Sequence, residues 1–188
     1  MKKTIEDAVI FATQAHRGMK RKAKGRAYIL HPLEVMVIVS ALTEDEDVLA
    51  AAVLHDTVED TSVTLEDITR EFGERVSVLV AAESEDKHRE VAAKDSWVSR
   101  KQETISHLQN ASRETRLICL GDKLANLREM ARDHKVLGDA LWERFHQNDP
   151  AMHAWYYRSV FEILEKEFGD AAAIREYRSL LREVFGDK

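Results

Sequence analysis

Residues 50 to 61 read Ala-Ala-Ala-Val-Leu-His-Asp-Thr-Val-Glu-Asp-Thr, and this stretch constrains the fold more than any other. The alanines and leucine favour a helix, whose apolar face has to be buried. If the helix continues through the polar residues, His55 and Glu59 stack at i and i+4, as do Asp56 and Asp60. Carboxylates this close raise one another's pKa and repel unless a cation or a proton intervenes. A divalent metal is the economical source of that charge.

The rest of the chain suits a helical host. Only 7 Gly and 2 Pro interrupt 188 residues rich in Ala, Leu, Glu, Lys and Arg, which predicts an all-α chain with little or no sheet. Its length predicts a single domain over residues 1–188, large enough to bury a core without staples. The lone Cys119 lies in the run Leu117-Ile118-Cys119-Leu120 and reads as a small buried hydrophobe in a reducing compartment. No apolar run approaches membrane-spanning length, and Met1-Lys2-Lys3 is followed by charge too soon for a signal peptide, so a cytoplasmic protein without membrane partners is expected. A net charge of −6 argues against general nucleic-acid binding. One compact basic cluster, Lys20 to Arg26, stands out from this acidic background. It reads either as a solvated loop or as a patch for a small polyanion.

Apolar spacing predicts helix one over 4–17, ended by Gly18. Pro32 pushes His31 toward an extended conformation at the mouth of helix two, 32–42, which is apolar almost all round and expected to be deeply buried. Helix three, about 48–60, carries the His55-Asp56 doublet. Thr64 and Asp67 resemble a cap for a short helix stopping at Gly73, and another helix follows over 74–82. The polar stretch 83–95 reads as a mobile or partly helical connection. Further helices are expected over 96–110, from Ser112 past Met130, over 136–145, from Pro150 to Phe168 and over 170–185. Trp155, Tyr156 and Tyr157 fit core packing better than a wall for a base.

Metal sites that activate water combine imidazole and carboxylate ligands and keep a position open. His31, His55, Asp56 and Asp122 are the candidates, Asp122 because it interrupts the apolar series Leu120 to Leu124 and is expensive to bury alone. No local spacing ties them together. Singly, His31 also fits a helix cap, His55 a hydrogen-bonded core histidine and Asp122 a partner for a buried Lys or Arg.

Their neighbours carry a resemblance. His16-Arg17-Gly18, Arg21-Lys22, Tyr28-Ile29-Leu30-His31-Pro32, Leu54 to Thr61 and Gly121-Asp122-Lys123-Leu124-Ala125-Asn126 occur in the order and style of the HD-domain hydrolases. More narrowly, they resemble the hydrolase half of the RelA/SpoT homologues and the stand-alone small alarmone hydrolases. The resemblance implies a single-domain helical bundle of about ten helices. It also implies a manganese-dependent enzyme, with one divalent ion, that removes the 3′-pyrophosphate of guanosine tetra- or pentaphosphate. Carried over by position, His31, His55, Asp56 and Asp122 match the metal ligands, and Glu59 and Asp60 the pair that activates water. Arg21 and Lys22 match the basic pair that meets the nucleotide, and Asn126 a contact to its sugar or base. Alternatives that keep the scaffold are an adenosine alarmone, the 2′-phosphate of NADPH, or non-catalytic nucleotide binding. A homo-oligomer is compatible with all of these.

Overall fold

The apolar stretch ahead of His55 forms a helix in which every residue from Val48 to Leu54 is buried. It is the third of ten α-helices among the described residues, which are 3–21, 25–84 and 96–187 of this computed structural model. In chain order these are α1 (Ile5–Ala15), α2 (Leu30–Ser40), α3 (Glu46–Leu54), α4 (Thr57–Asp60), α5 (Leu65–Phe72), α6 (Glu74–Glu83), α7 (Trp97–Asn110), α8 (Arg113–Leu137), α9 (Pro150–Phe168) and α10 (Ala172–Phe185). A 3-10 turn over Gly138–Arg144 follows α8. No strand occurs among the described residues, and one isolated antiparallel bridge pairs Lys20 with Ala27. The fold is all-α, as composition predicts.

Local signals set several boundaries. Thr4 and Thr64 close reciprocal capping boxes with Asp7 and Asp67, satisfying amides that the first turns of α1 and α5 leave without partners. Gly73, at φ 91°, takes the backbone from α5 to α6 through a conformation that a side chain disfavours.

The chain folds as two compact units. The first comprises residues 1–84 and 112–125, and α3 is its centre, with α1, α2 and α6 packed on it and α5 on α6. Its core includes Ala8, Ala12, Val35, Val39, the whole apolar run of α3, Ile68, Val80 and Leu120. The second unit comprises residues 85–111 and 126–188, where α9 packs on α7 and α10. Tyr156 and Tyr157 are core residues there, as expected, and the buried Tyr177 donates its hydroxyl to the Tyr157 carbonyl at 3.1 Å. Arg128 of α8 holds Glu176 of α10 with a two-pronged ion pair, at 2.6 and 2.7 Å.

Four expectations are corrected. Helix three does not run unbroken to residue 60: α3 ends at Leu54, and α4 begins only at Thr57. His31 is not extended but lies in the first turn of α2, which starts at Leu30. Pro32 is tolerated there because first-turn amides need no partner within the helix. Nor is α2 buried all round, since Leu30 and Val37 are 54% and 62% exposed. In addition, the helix expected over 136–145 is the end of α8 followed by the 3-10 turn. The connection read over 83–95 lies outside the described residues from 85 onward.

Candidate metal centre

At the break between α3 and α4 the side chains of His55 and Thr57 bond the end of α3. At a helix end the last carbonyls lose their amide partners. Here the imidazole Nδ1 of His55 lies 2.9 Å from the Ala52 carbonyl, and the Thr57 hydroxyl donates to the Leu54 carbonyl at 2.6 Å. A carbonyl only accepts, so neutral His55 carries its proton on Nδ1 and presents a lone pair at Nε2. Asp56 stands at the cap position of α4, yet its carboxylate makes no capping bond and faces inward instead.

Three groups join that lone pair. His31, His55 and Asp122 each offer an atom that can bind metal, all within 4.8 Å of one another and all three residues buried. Asp122 Oδ1 lies 3.1 Å from His31 Nε2 and 3.9 Å from His55 Nε2. Asp56 closes the group, with Oδ1 3.1 Å from His55 Nε2 and Oδ2 3.6 Å from His31 Nε2. Residues from α2, the α3–α4 junction and α8 thus converge on one point, which spacing alone left undecided. Gly121 makes the approach of α8 feasible: a Cβ there would sit 2.8 Å from Val39 Cγ2 and 3.1 Å from the Val35 carbonyl oxygen. The adjacent Asp122 is thereby brought against His31.

Charge shows what the site asks for. Burial disfavours ionisation of His55, but Asp56 beside it and Asp122 outweigh burial and raise its pKa to about 9. Burial likewise opposes the charge on Asp56, and His55 and His31 overcome it and hold that carboxyl well below its usual range. Asp122 is lowered too, against burial, by Lys123 and the two histidines. The carboxylates stay charged and require a positive charge among them. His55 Nε2 is nevertheless buried without a hydrogen-bond partner. An unpartnered imidazole nitrogen buried between two carboxylates that favour positive charge there fits a first-row divalent ion in place of the proton, for which two imidazoles and two carboxylates are a suitable donor set.

The second oxygens of both carboxylates are also held. Tyr28 donates its hydroxyl toward Asp56 Oδ2 at 2.8 Å and toward Asp60 Oδ2 at 2.6 Å. Burial, and then Asp56 and Asp60, push the Tyr28 phenol pKa upward, so it stays a donor. Lys123 Nζ pairs with Asp122 Oδ2. Sequence alone gave roles to neither Tyr28 nor Lys123, although each adjoins a predicted ligand motif. It also missed Glu83, at the end of α6, whose carboxyl is raised to about 7 by burial while Lys123 opposes the shift and Asp122 adds to it. No motif marks Glu83.

The remaining predicted residues divide. Asp60 joins the group through Tyr28, and Glu59 is half-buried on α4. Arg21 lies with its guanidinium 5.5 Å from the centre of the Tyr28 ring. Lys22 lies outside the described residues. Asn126 is half-buried on α8, one turn beyond Asp122, and belongs to the second unit.

Known proteins resemble this chain. The HD domain family matches residues 8–141. A guanosine-3′,5′-bis(diphosphate) 3′-pyrophosphohydrolase MESH1 from Danio rerio is 37% identical over 67% of this chain and 68% of its own length. The protein of the same name from Xenopus tropicalis is 39% identical over 68% of this chain and 70% of its own. Among solved structures, a metazoan orthologue of SpoT described as hydrolysing ppGpp superposes with a TM-score of 0.77 at 27% identity, covering 97% of this chain and 96% of that one. A Listeria monocytogenes protein superposes with a TM-score of 0.69 at 28% identity, over 89% of this chain and 100% of that one. With the family match spanning most of its length and the paired histidines and aspartates gathered at one point, this chain belongs to the HD-domain family.

Proposed function

We propose that this protein is a guanosine-3′,5′-bis(diphosphate) 3′-pyrophosphohydrolase, releasing pyrophosphate from the 3′ position of ppGpp or pppGpp and leaving GDP or GTP. The observation that carries this is the convergence of His31, His55, Asp56 and Asp122 around an orphaned imidazole nitrogen. The names and coverage of the relatives supply the substrate class. We take residues 1–188 as one functional domain acting in the cytoplasm, with no nucleic-acid partner and a homo-oligomer compatible with the reading.

His31, His55, Asp56 and Asp122 would hold one divalent ion, Mn²⁺ in our reading. When bound, such an ion lowers the pKa of water and offsets phosphate charge. Asp60 and Glu59 orient the attacking water and take its proton, and the tether from Tyr28 keeps Asp60 beside the ligand set. Water attacks the phosphorus attached to the 3′ oxygen, the bond to that oxygen breaks, and the proton passes to the departing 3′ oxygen, which becomes the free hydroxyl. Arg21 and Lys22 bind the phosphates, and Asn126 contacts the sugar or base.

Purified protein with Mn²⁺ and ppGpp is expected to yield equal amounts of GDP and pyrophosphate. Asp60→Asn or Glu59→Gln is expected to lower kcat about 10²- to 10⁴-fold, the usual worth of a proton-transfer group. Folded, metal-loaded protein that leaves ppGpp intact overturns the reading. Faster turnover of an adenosine alarmone or NADPH in a parallel panel reassigns the substrate, and binding without turnover makes the protein a nucleotide-binding module.

A further inference from the structure

Asp56 and Asp60 stand at i and i+4, with the Asp60 amide bonded to the Asp56 carbonyl at 3.0 Å. Like charges at that spacing repel. Between them sits one phenol, with its oxygen 2.8 Å from Asp56 Oδ2 and 2.6 Å from Asp60 Oδ2. The shorter is in the range of a strong hydrogen bond to a carboxylate, and the longer is at the ordinary hydroxyl–oxygen distance.

The phenol is held from several sides. The His16 ring lies parallel to it at 5.0 Å and 18°, and His16 is itself buried, with Nδ1 3.0 Å from the Ala12 carbonyl of α1. The His31 ring meets it edge-on at 6.3 Å. The backbone amide of Tyr28 donates to the Met19 carbonyl at 3.0 Å, fixing the segment that leads into α2. The hydroxyl is therefore placed by a frame that does not depend on the two carboxylates it joins.

We propose that Tyr28 is a positioning residue of the site: its phenol locks Asp60 at a fixed distance from Asp56, coupling the carboxylate that handles water to the carboxylate that binds metal. This rests on the roles given above to Asp56 and Asp60. A phenol has one proton for these two acceptors. Shared between the two carboxylates, that hydroxyl sets the two groups together rather than independently.

Tyr28→Phe keeps the ring and its stack on His16 and removes only the hydroxyl. Mn²⁺ affinity measured without nucleotide is expected to weaken about 10- to 100-fold, the range seen when an outer partner of a metal ligand is removed. With ppGpp, kcat is expected to fall by a similar factor while KM stays within about 2-fold of wild type. In an Asp60→Asn background, Tyr28→Phe should lower kcat by no more than about 2-fold further, because the two residues act as one unit. Wild-type Mn²⁺ affinity in Tyr28→Phe, fully multiplicative losses with Asp60→Asn, or a rise in KM alone overturns the proposal. If wild type turns over no nucleotide, the proposed function fails, and the Mn²⁺ measurement still decides the role of Tyr28. Should Tyr28→Phe not fold, 3-fluorotyrosine at position 28 carries the test. Its fluorine resonance is expected to move on Asp60→Asn and on adding diamagnetic Zn²⁺, and a resonance insensitive to either overturns the coupling.

Discussion

Two buried histidines serve opposite purposes because of what faces them. His55 sits among carboxylates and is raised to about 9. His153, in the second unit, donates from Nε2 to the Gln147 carbonyl at 2.7 Å and packs against Trp97, Trp142 and Phe145. Burial lowers its pKa below the ordinary 6.5, with Lys101 reinforcing burial and the Gln147 carbonyl opposing it. Since that carbonyl only accepts, neutral His153 carries its proton on Nε2. Between its depressed folded pKa and 6.5, the unfolded chain binds the proton that the folded chain refuses. The stability owed to neutral His153 is therefore complete above 6.5 and is lost as pH falls through the folded pKa. Urea unfolding at pH 7.5, 6.5 and 5.5 should show wild type losing more stability on acidification than His153→Gln. Parallel curves would refute this account of His153.

Among the elements, α8 has the tightest demand on its surface. Glycine in a helix interior costs about 1 kcal/mol relative to alanine, and Gly121 is kept where its lack of a Cβ lets α8 meet α2 at Val35 and Val39. Gly121→Ala forces that contact apart. The expected loss is about 1–3 kcal/mol in chemical denaturation, typical of overpacking and larger than the gain in helix propensity. Because Asp122 is the next residue, Mn²⁺ affinity should fall as well, and adding Val39→Ala should restore part of both by vacating the space of Val39 Cγ2. A variant as stable and as tightly metal-binding as wild type would show that the close approach is not required. The α3–α4 junction follows a related logic. Side-chain donors from His55 and Thr57 meet the Ala52 and Leu54 carbonyls where the helix ends.

For the whole molecule, the proposed ion links chemistry to stability. A ligand that binds only the folded state adds about 2.7 kcal/mol at a free concentration of 100 times Kd. Mn²⁺ should therefore raise the Tm of wild type, chelator should reverse the rise, and Asp122→Asn should abolish most of it. Hydrogen exchange should slow on Mn²⁺ addition in α2, the α3–α4 junction and the first half of α8, the segments of the first unit that bring the four side chains together. Equal Tm values with Mn²⁺ and with chelator would count against a bound ion in this site.

Much of this was already legible along the chain. Helix formers and the two capping boxes are local signals, and local signals act through neighbours a turn away, so α1, α5, α6 and α9 lie close to where spacing puts them. The ligand types were legible too, since a His-Asp doublet after an apolar run and an aspartate inside one are costly to bury alone. Tertiary structure decided what depends on distant partners. It interrupted the helix at His55, left Val37 exposed, used Gly121 to bring Asp122 to His31, and set Tyr28 between Asp56 and Asp60. The stretch 50–61 therefore determined by itself that a buried polar cluster would need a positive charge. Only packing among α2, α3 and α8 determined which side chains surround that charge, because convergence is a property of long-range contacts that periodicity does not encode.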